Sequence, residues 1–308
     1  MRPRPFGANP QAVESFGWRG WSIEHSLQRP AGQRTVDGRG SQVQKMRRMV
    51  NFSGINNKTL LGKILRAPLR LIPPDTKMRI LQGRLRGKKW IVGSGYHGCW
   101  LGSYEHDKRV AFERFVRDGD VVYDIGAHVG FYTLLASSLC GHSGVVVAIE
   151  PLPRNLNYLR SHLRINHVTN VRVIEAAVSD TAQDALFFEA PESSMGYLSD
   201  SGKIHVKTIT LDGLVASGEI PAPTHMKIDV EGAEFKVLLG SRFVLAAYHP
   251  TIFLATHGSD VHRRCCEILR TFGYTLSPLS GTTLDQANEI LACGEDTKAA
   301  VPALPERG

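Results

Sequence analysis

The chain has 308 residues, enough for one large domain or two ordinary ones, and enough to bury a full core without disulfides or metals. Hydrophobic residues make up 42 % and charged residues 21 %, which excludes collagen-like and wholly disordered chains. Five cysteines, odd in number and without a C-x-x-C spacing, exclude a disulfide framework and a structural zinc site and point to a reducing compartment.

The formal net charge of +8 is unevenly spread: residues 1–90 hold 19 Lys and Arg against 4 Asp and Glu, so the remainder is acidic. Residues 1–57 are rich in Arg, Gly, Pro, Gln and Ser without a sustained period, and read as a basic, disordered arm. Such an arm suits an acidic surface, whether membrane, nucleic acid or anionic glycan. No apolar leader stands in the first 45 residues, and the expected location is the cytoplasm. Residues 58–105 read as an extension. Its first part, Lys58-Thr-Leu-Leu-Gly-Lys-Ile-Leu-Arg-Ala-Pro-Leu-Arg-Leu-Ile72, is basic and amphipathic, ended by Pro73-Pro74, and peripheral membrane contact is one use for it. Its second part, residues 78–104, mixes apolar and aromatic residues with close glycines, a pattern for two or three short strands with tight turns.

A helix is expected over 106–117, and from Val121 strands alternate with helices to residue 294. The uncharged run Ile125–Ile149 is 25 residues long, but its four glycines and two histidines fit a buried strand–helix–strand better than a membrane span. The strands read as VVYDI, VVVAIE, VRVIEAAV, HMKIDV and TIFLAT, followed by short ones near 274–278 and 289–293. Helices are expected over 153–167, in GAEFKVLLGS and in VHRRCCEILRTFG, with a β-rich excursion over 184–212. This order specifies an α/β fold: a doubly wound, mostly parallel, seven-stranded Rossmann-like sheet with a small N-terminal β-rich extension. Residues 106–294 form the main domain, and 295–308 a flexible tail.

The chemistry gathers at strand ends, where open α/β sheets bind ligands. The first strand ends in Asp124 and opens into Gly126-Ala127-His128-Val129-Gly130. A dinucleotide site wants G-x-G-x-x-G. Here the pattern is G-x-x-x-G, with His128 at the middle position, and Asp124 repels a pyrophosphate. The same carboxylate suits a cationic ligand with an amino group, such as S-adenosylmethionine. Glu150 closes the second strand 24 residues beyond Gly126, placed to accept ribose hydroxyls. Asp180, after the third strand, is placed to approach an adenine amino group. On the fourth strand alternation puts Lys227 and Asp229 on one side and Ile228 and Val230 on the other, so Asp229 and Glu231 converge at the sheet's C-terminal edge. Glu234 reads instead as an acid at a helix start. No metal is expected, because no His or Cys accompanies Asp229 and Glu231 at ligand spacing.

Asp124-Ile-Gly126-Ala-His-Val-Gly130-Phe-Tyr-Thr, Glu150-Pro151, Leu211-Asp212 and above all Lys227-Ile-Asp229-Val-Glu231-Gly232-Ala-Glu234 resemble the signatures of the FkbM-type methyltransferase family. Trp100-Leu-Gly-Ser-Tyr104-Glu105 resembles the Gly-x-Tyr-Glu stretch common in members. The resemblance covers about residues 95–275 and implies a class I Rossmann-like fold, S-adenosyl-L-methionine as cofactor, and methyl transfer to a hydroxyl of a sugar, polyketide or other small natural product. It assigns Asp124, Gly126 and Gly130 to the cofactor turn, Glu150 to the ribose, and Asp229 and Glu231 to the transfer centre. Two departures stand out. His128 replaces a frequent Asn, and Ala255 replaces a frequent Glu in the fifth strand. His257, at that strand's end, is a second candidate base after Asp229 or Glu231. The competing readings are an RNA methyltransferase using the basic arm, a nicotinamide-dependent oxidoreductase weakened by the missing glycine, and a non-catalytic S-adenosylmethionine-binding module.

Overall fold

In a computed structural model of the chain, residues 67–189, 196–198, 202, 204–279 and 283–294 are described. The predicted arm, most of the amphipathic stretch and the predicted tail lie outside them. Within the remainder of the extension, β1 (Lys77–Arg79) and β2 (Lys89–Ile91) form an antiparallel pair. The expected third strand is instead a short helix, α1 (His97–Leu101), which buries Cys99 and Trp100 and ends on left-handed Gly102. α2 (His106–Phe115) follows where a helix is expected.

The central sheet is built from β3 (Val121–Ile125), β4 (Val145–Ile149), β5 (Val171–Ile174), β10 (His225–Ile228), β11 (Thr251–Ala255), β12 (Thr275–Pro278) and β13 (Glu289–Cys293). Its order is β12-β13-β11-β10-β3-β4-β5, with β13 antiparallel to both of its neighbours and the pairs from β11 to β5 parallel. This is the doubly wound sheet read from the sequence. The strand order reverses between β3 and β10, and the C-terminal edge at that point is where such sheets bind ligands.

The apolar runs of β3, β4 and β11 are needed because both faces are covered. Val122, Val146 and Phe253 pack into one core, and Tyr123, Val147 and Ile252 into the other. The helices on these faces are α3 (Phe131–Cys140), α4 (Pro153–Ile165), α6 (Glu234–Leu239), α7 (Arg242–Tyr248) and α8 (Ser259–Thr271). α4 buries Leu156, Leu159 and Leu163 at helical spacing, and Pro153 sits at its start, where a missing N–H costs nothing. α7 is absent from the sequence reading: the chain restarts a helix at Arg242 directly after Gly240. The expected third strand, 171–178, breaks after Ile174. Its end, β6 (Ala177–Val178), joins a second sheet with β7 (Asp184–Glu189), β8 (Gly196–Leu198) and β9 (Ile204–Ile209) in the order β6-β9-β7-β8. α5 (Leu211–Ala216) follows, capped by the Thr210 hydroxyl. All five cysteines are buried and unbridged.

The extension is tied to α4 through His162 and through Asn166, which accepts from the Lys89 N–H at 2.7 Å and donates to the Lys89 carbonyl at 2.8 Å. His162 on α4 stacks on buried Trp90 of β2, with ring centroids 3.9 Å apart. Its Nε2 accepts from the Ile91 N–H at 3.0 Å, so Nδ1 carries the proton and donates to the Val129 carbonyl at 2.8 Å. This imidazole thereby links the hairpin, α4 and the turn after β3.

Candidate active site

A cavity of about 400 Å³ opens at the C-terminal edge between β3, β4, β10 and β11. At one end lie the turn after β3 and the end of β4. Gly126 and Gly130 adopt positive φ of 75° and 91°, and a Cβ on Gly126 would stand 1.9 Å from the Asp229 carbonyl oxygen. Glycine is required there because the turn crosses the end of β10 at backbone contact. His128 is left-handed too, with φ 50°, a region where Asn and His are enriched among non-glycine residues.

Glu150, 4 % exposed, faces this turn. Its Oε2 accepts from the His128 N–H at 2.8 Å, and its Oε1 from the Leu152 N–H and Asn155 Nδ2, both at 3.1 Å. Burial pushes its pKa up, against the pull of these three donors. A carboxylate offers about four acceptor positions, so Oε2 keeps one for a ligand. Burial also pushes the His128 imidazole down to about 4, helped by Lys227 and Arg154. Around Glu150 the cavity wall is apolar, with Ile149, Leu152, Ala177, Val178 and Phe187.

Asp124 is placed differently from the expectation for it. It is 1 % exposed and lies behind the cavity wall, with the Thr133 hydroxyl donating to Oδ2 at 2.6 Å and Lys227 Nζ 3.3 Å from Oδ1. Lys227 also donates to the Gly126 carbonyl at 3.0 Å. Asp124 therefore holds the lysine that holds the turn. Asp180 stands apart from the cavity, exposed, accepting from its neighbour Ser179 at 3.0 Å. β6 carries the chain away into the second sheet, and the Ser179 carbonyl lies against Gly240, where a Cβ would come within 2.0 Å.

The opposite end of the cavity is strongly charged. Lys108 of α2, 2 % exposed, lies 2.7 Å from Glu105, 2.8 Å from Glu289 and 3.4 Å from Asp229 Oδ2. Lys227 Nζ reaches the same Asp229 oxygen at 3.8 Å, and both ammoniums lie about 5.5 Å from the Tyr132 ring centre. Burial alone lowers a lysine pKa, but the carboxylates outweigh it and raise both. Burial raises Asp229, while Lys227, Lys108 and His257 outweigh it and hold its carboxyl low. The alternation read from the sequence brings Lys227 and Asp229 to one face, and the partnership between them is present.

Asp229 and Glu231 converge on His257. Its Nε2 lies 3.9 Å from Asp229 Oδ1 and 3.4 Å from Glu231 Oε2, and its Nδ1 2.8 Å from Glu234 Oε1. Burial raises Glu231, as do the neighbouring Asp229 and Glu234. The hydrogen bond to Glu234 raises His257, against a partial opposing effect of burial. Donor atoms of Asp229, Glu231 and His257 fall within 4.8 Å of one another, a histidine the local spacing gave no sign of. Asp229 Oδ2 is already shared by two ammoniums, so the cluster has cations of its own, and we assign no ion to it. Lys108 and Glu289 are the residues that sequence reasoning missed, and Glu105, marked only by the resemblance, is a partner of Lys108. Glu289 faces Ala255 across the β11–β13 pair, so a carboxylate enters this region from the strand next to Ala255.

The Methyltransferase FkbM domain profile matches residues 124–276. The chain is 33 % identical to a hexuronic acid methyltransferase, AglP, of Haloferax volcanii, over 46 % of this chain and 59 % of the relative. It is 31 % identical to the 31-O-demethyl-FK506 methyltransferase FkbM of Streptomyces tacrolimicus, over 41 % of this chain and 60 % of that protein. The chain thus spans about 60 % of the length of these curated relatives. A solved FkbM methyltransferase from Methylobacillus flagellatus superposes with a TM-score of 0.44 at 18 % identity, covering 63 % of this chain and 49 % of the other. No helix among the described residues is long and apolar enough to cross a membrane.

Proposed function

We propose, from the premise that residues 124–276 belong to the methyltransferase FkbM domain family, that this chain transfers a methyl group from S-adenosylmethionine to a hydroxyl oxygen of a small sugar- or polyketide-like molecule. The observation that carries the reading is Glu150: a buried carboxylate with one acceptor position left, opposite a glycine turn and beside an apolar slot. That end of the cavity suits an adenosine. The carboxylates of Asp229 and Glu231 at the other end suit a sulfonium. The cofactor supplies an activated methyl group on a good leaving sulfur.

What remains for the protein is placement, since holding an oxygen near attack distance supplies much of the acceleration. Glu150 and the His128 N–H fix the ribose end, and Lys227 fixes the turn by way of Gly126. The acceptor hydroxyl lies against Asp229, Glu231 and His257. Asp229, held low between two ammoniums, orients the hydroxyl as a hydrogen-bond acceptor and is a weak base. The acceptor class is the one named for the relatives, a hexuronic acid in one and an FK506 precursor in the other.

The test is calorimetry with S-adenosylmethionine and its demethylated product, followed by labelled methyl transfer to a panel of hexuronic acids and hydroxylated polyketides. Saturable heat and products one methyl heavier are expected. No heat with either cofactor form refutes the reading.

A further inference from the structure

The sequence assigns Glu234 to an ordinary helix start, but its surroundings are more specific. It is completely buried, and its Oε1 accepts from the Gly232 N–H at 3.0 Å and the Val230 N–H at 3.4 Å. Those groups can only donate, so the proton between Glu234 and His257, 2.8 Å apart, lies on Nδ1. In its neutral form the imidazole is therefore fixed in one tautomer, and Nε2 is the nitrogen that gains and loses the proton. That nitrogen is the atom facing Asp229 and Glu231, and His257 and both acids line the cavity.

Resting on the function just proposed, we infer that Glu234 is the positioning residue of a Glu234–His257 pair, and that His257 Nε2 takes the acceptor's proton. The acceptor O–H bond breaks toward Nε2 as the oxygen takes the methyl group. The electron pair of the broken methyl–sulfur bond stays on sulfur, and the imidazole ends as an imidazolium. Glu234, Glu231 and Asp229 face that cation. Lys227 and Lys108 lie behind Asp229, and Glu105 and Glu289 are held by Lys108. A buried carboxylate on Nδ1 both orients the ring and stabilises the charge it acquires.

The test uses the full chain and two readouts. In wild-type protein, long-range ¹H–¹⁵N spectra of the His257 ring should show the Nδ1–H tautomer above its titration. An Nε2–H tautomer overturns the proposal, and needs no variant. In Glu234→Gln, checked for folding by its melting curve, the His257 midpoint should fall by about one pH unit or more. The rising limb of the pH–rate profile should move down with it, kcat should fall more than KM changes, and S-adenosylhomocysteine affinity should stay within about threefold. Cofactor heat with a limb unmoved by Glu234→Gln overturns the positioning role and spares the methyltransferase reading. No cofactor heat overturns both. Tight stoichiometric Mn²⁺ binding that abolishes the His257 titration overturns the base role, because Nε2 would then be a ligand.

Discussion

Glu150→Gln isolates the charge at the proposed ribose end while keeping the side chain's size. In the native site Oε1 takes two donors and Oε2 takes one. The glutamine keeps the pair at Leu152 and Asn155 if its carbonyl points there, and its NH₂ then meets the His128 N–H donor to donor. The acceptor position offered to a ribose hydroxyl becomes a donor, and the charge-assisted part of that bond is lost. Hydrogen bonds to charged groups contribute about 1.5–3 kcal/mol, so the dissociation constant for S-adenosylhomocysteine should rise roughly 10- to 100-fold. Isothermal calorimetry at neutral pH measures it, with a thermal melt as a check on folding. A folded variant that binds within twofold of wild type refutes the assignment of Glu150 to the ligand and leaves it a strut for the turn.

His162 makes stability depend on acid. Burial pushes its imidazole down to about 4, against a smaller opposing pull from the Val129 carbonyl. Because the folded form holds it neutral, its contribution is complete above its ordinary value of 6.5 and is lost as pH falls from there to about 4. The span corresponds to about 3 kcal/mol. Urea unfolding across that range should show the loss, and a pH dependence undiminished in His162→Asn refutes it. Lys108→Met leaves Glu105, Asp229 and Glu289 facing each other without their shared ammonium. Removing one partner of a buried ion pair costs about 3–5 kcal/mol, and an unchanged urea midpoint would show that water already screens the cluster.

The sheet was legible because its strands advertise themselves. VVYDI, apolar but for Asp124, and VVVAI are β-branched-rich runs closed by a turn or an acid, and a helical segment separates them. The glycine turn was marked by Gly126 and Gly130, whereas the strand order that reverses beside it is a property of the folded sheet. α7 was not legible, since seven residues directly after another helix carry no separate start signal. Asp124 was read as a ligand because its position is right. Whether a strand-end acid faces the cavity or the packing beneath it depends on partners, Thr133 and Lys227, drawn from other elements. The lysine cluster is wholly tertiary: Lys108 and Asp229 are 121 residues apart, and neither α2 nor β13 carries a local mark of the meeting. Glu234 and His257 were each visible, but their pairing depends on the adjacency of β10 and β11.

Four carboxylates, two ammoniums and one imidazole line the far end of the cavity. Under the proposed reaction the sulfur arrives positive and departs neutral, while this wall keeps its sign. Fresh and spent cofactor thus differ in their attraction to this wall, which stays net negative even after His257 has taken up the acceptor's proton, and the spent form is the one it grips less. Under that reaction, turnover itself loosens the wall's hold on the spent cofactor.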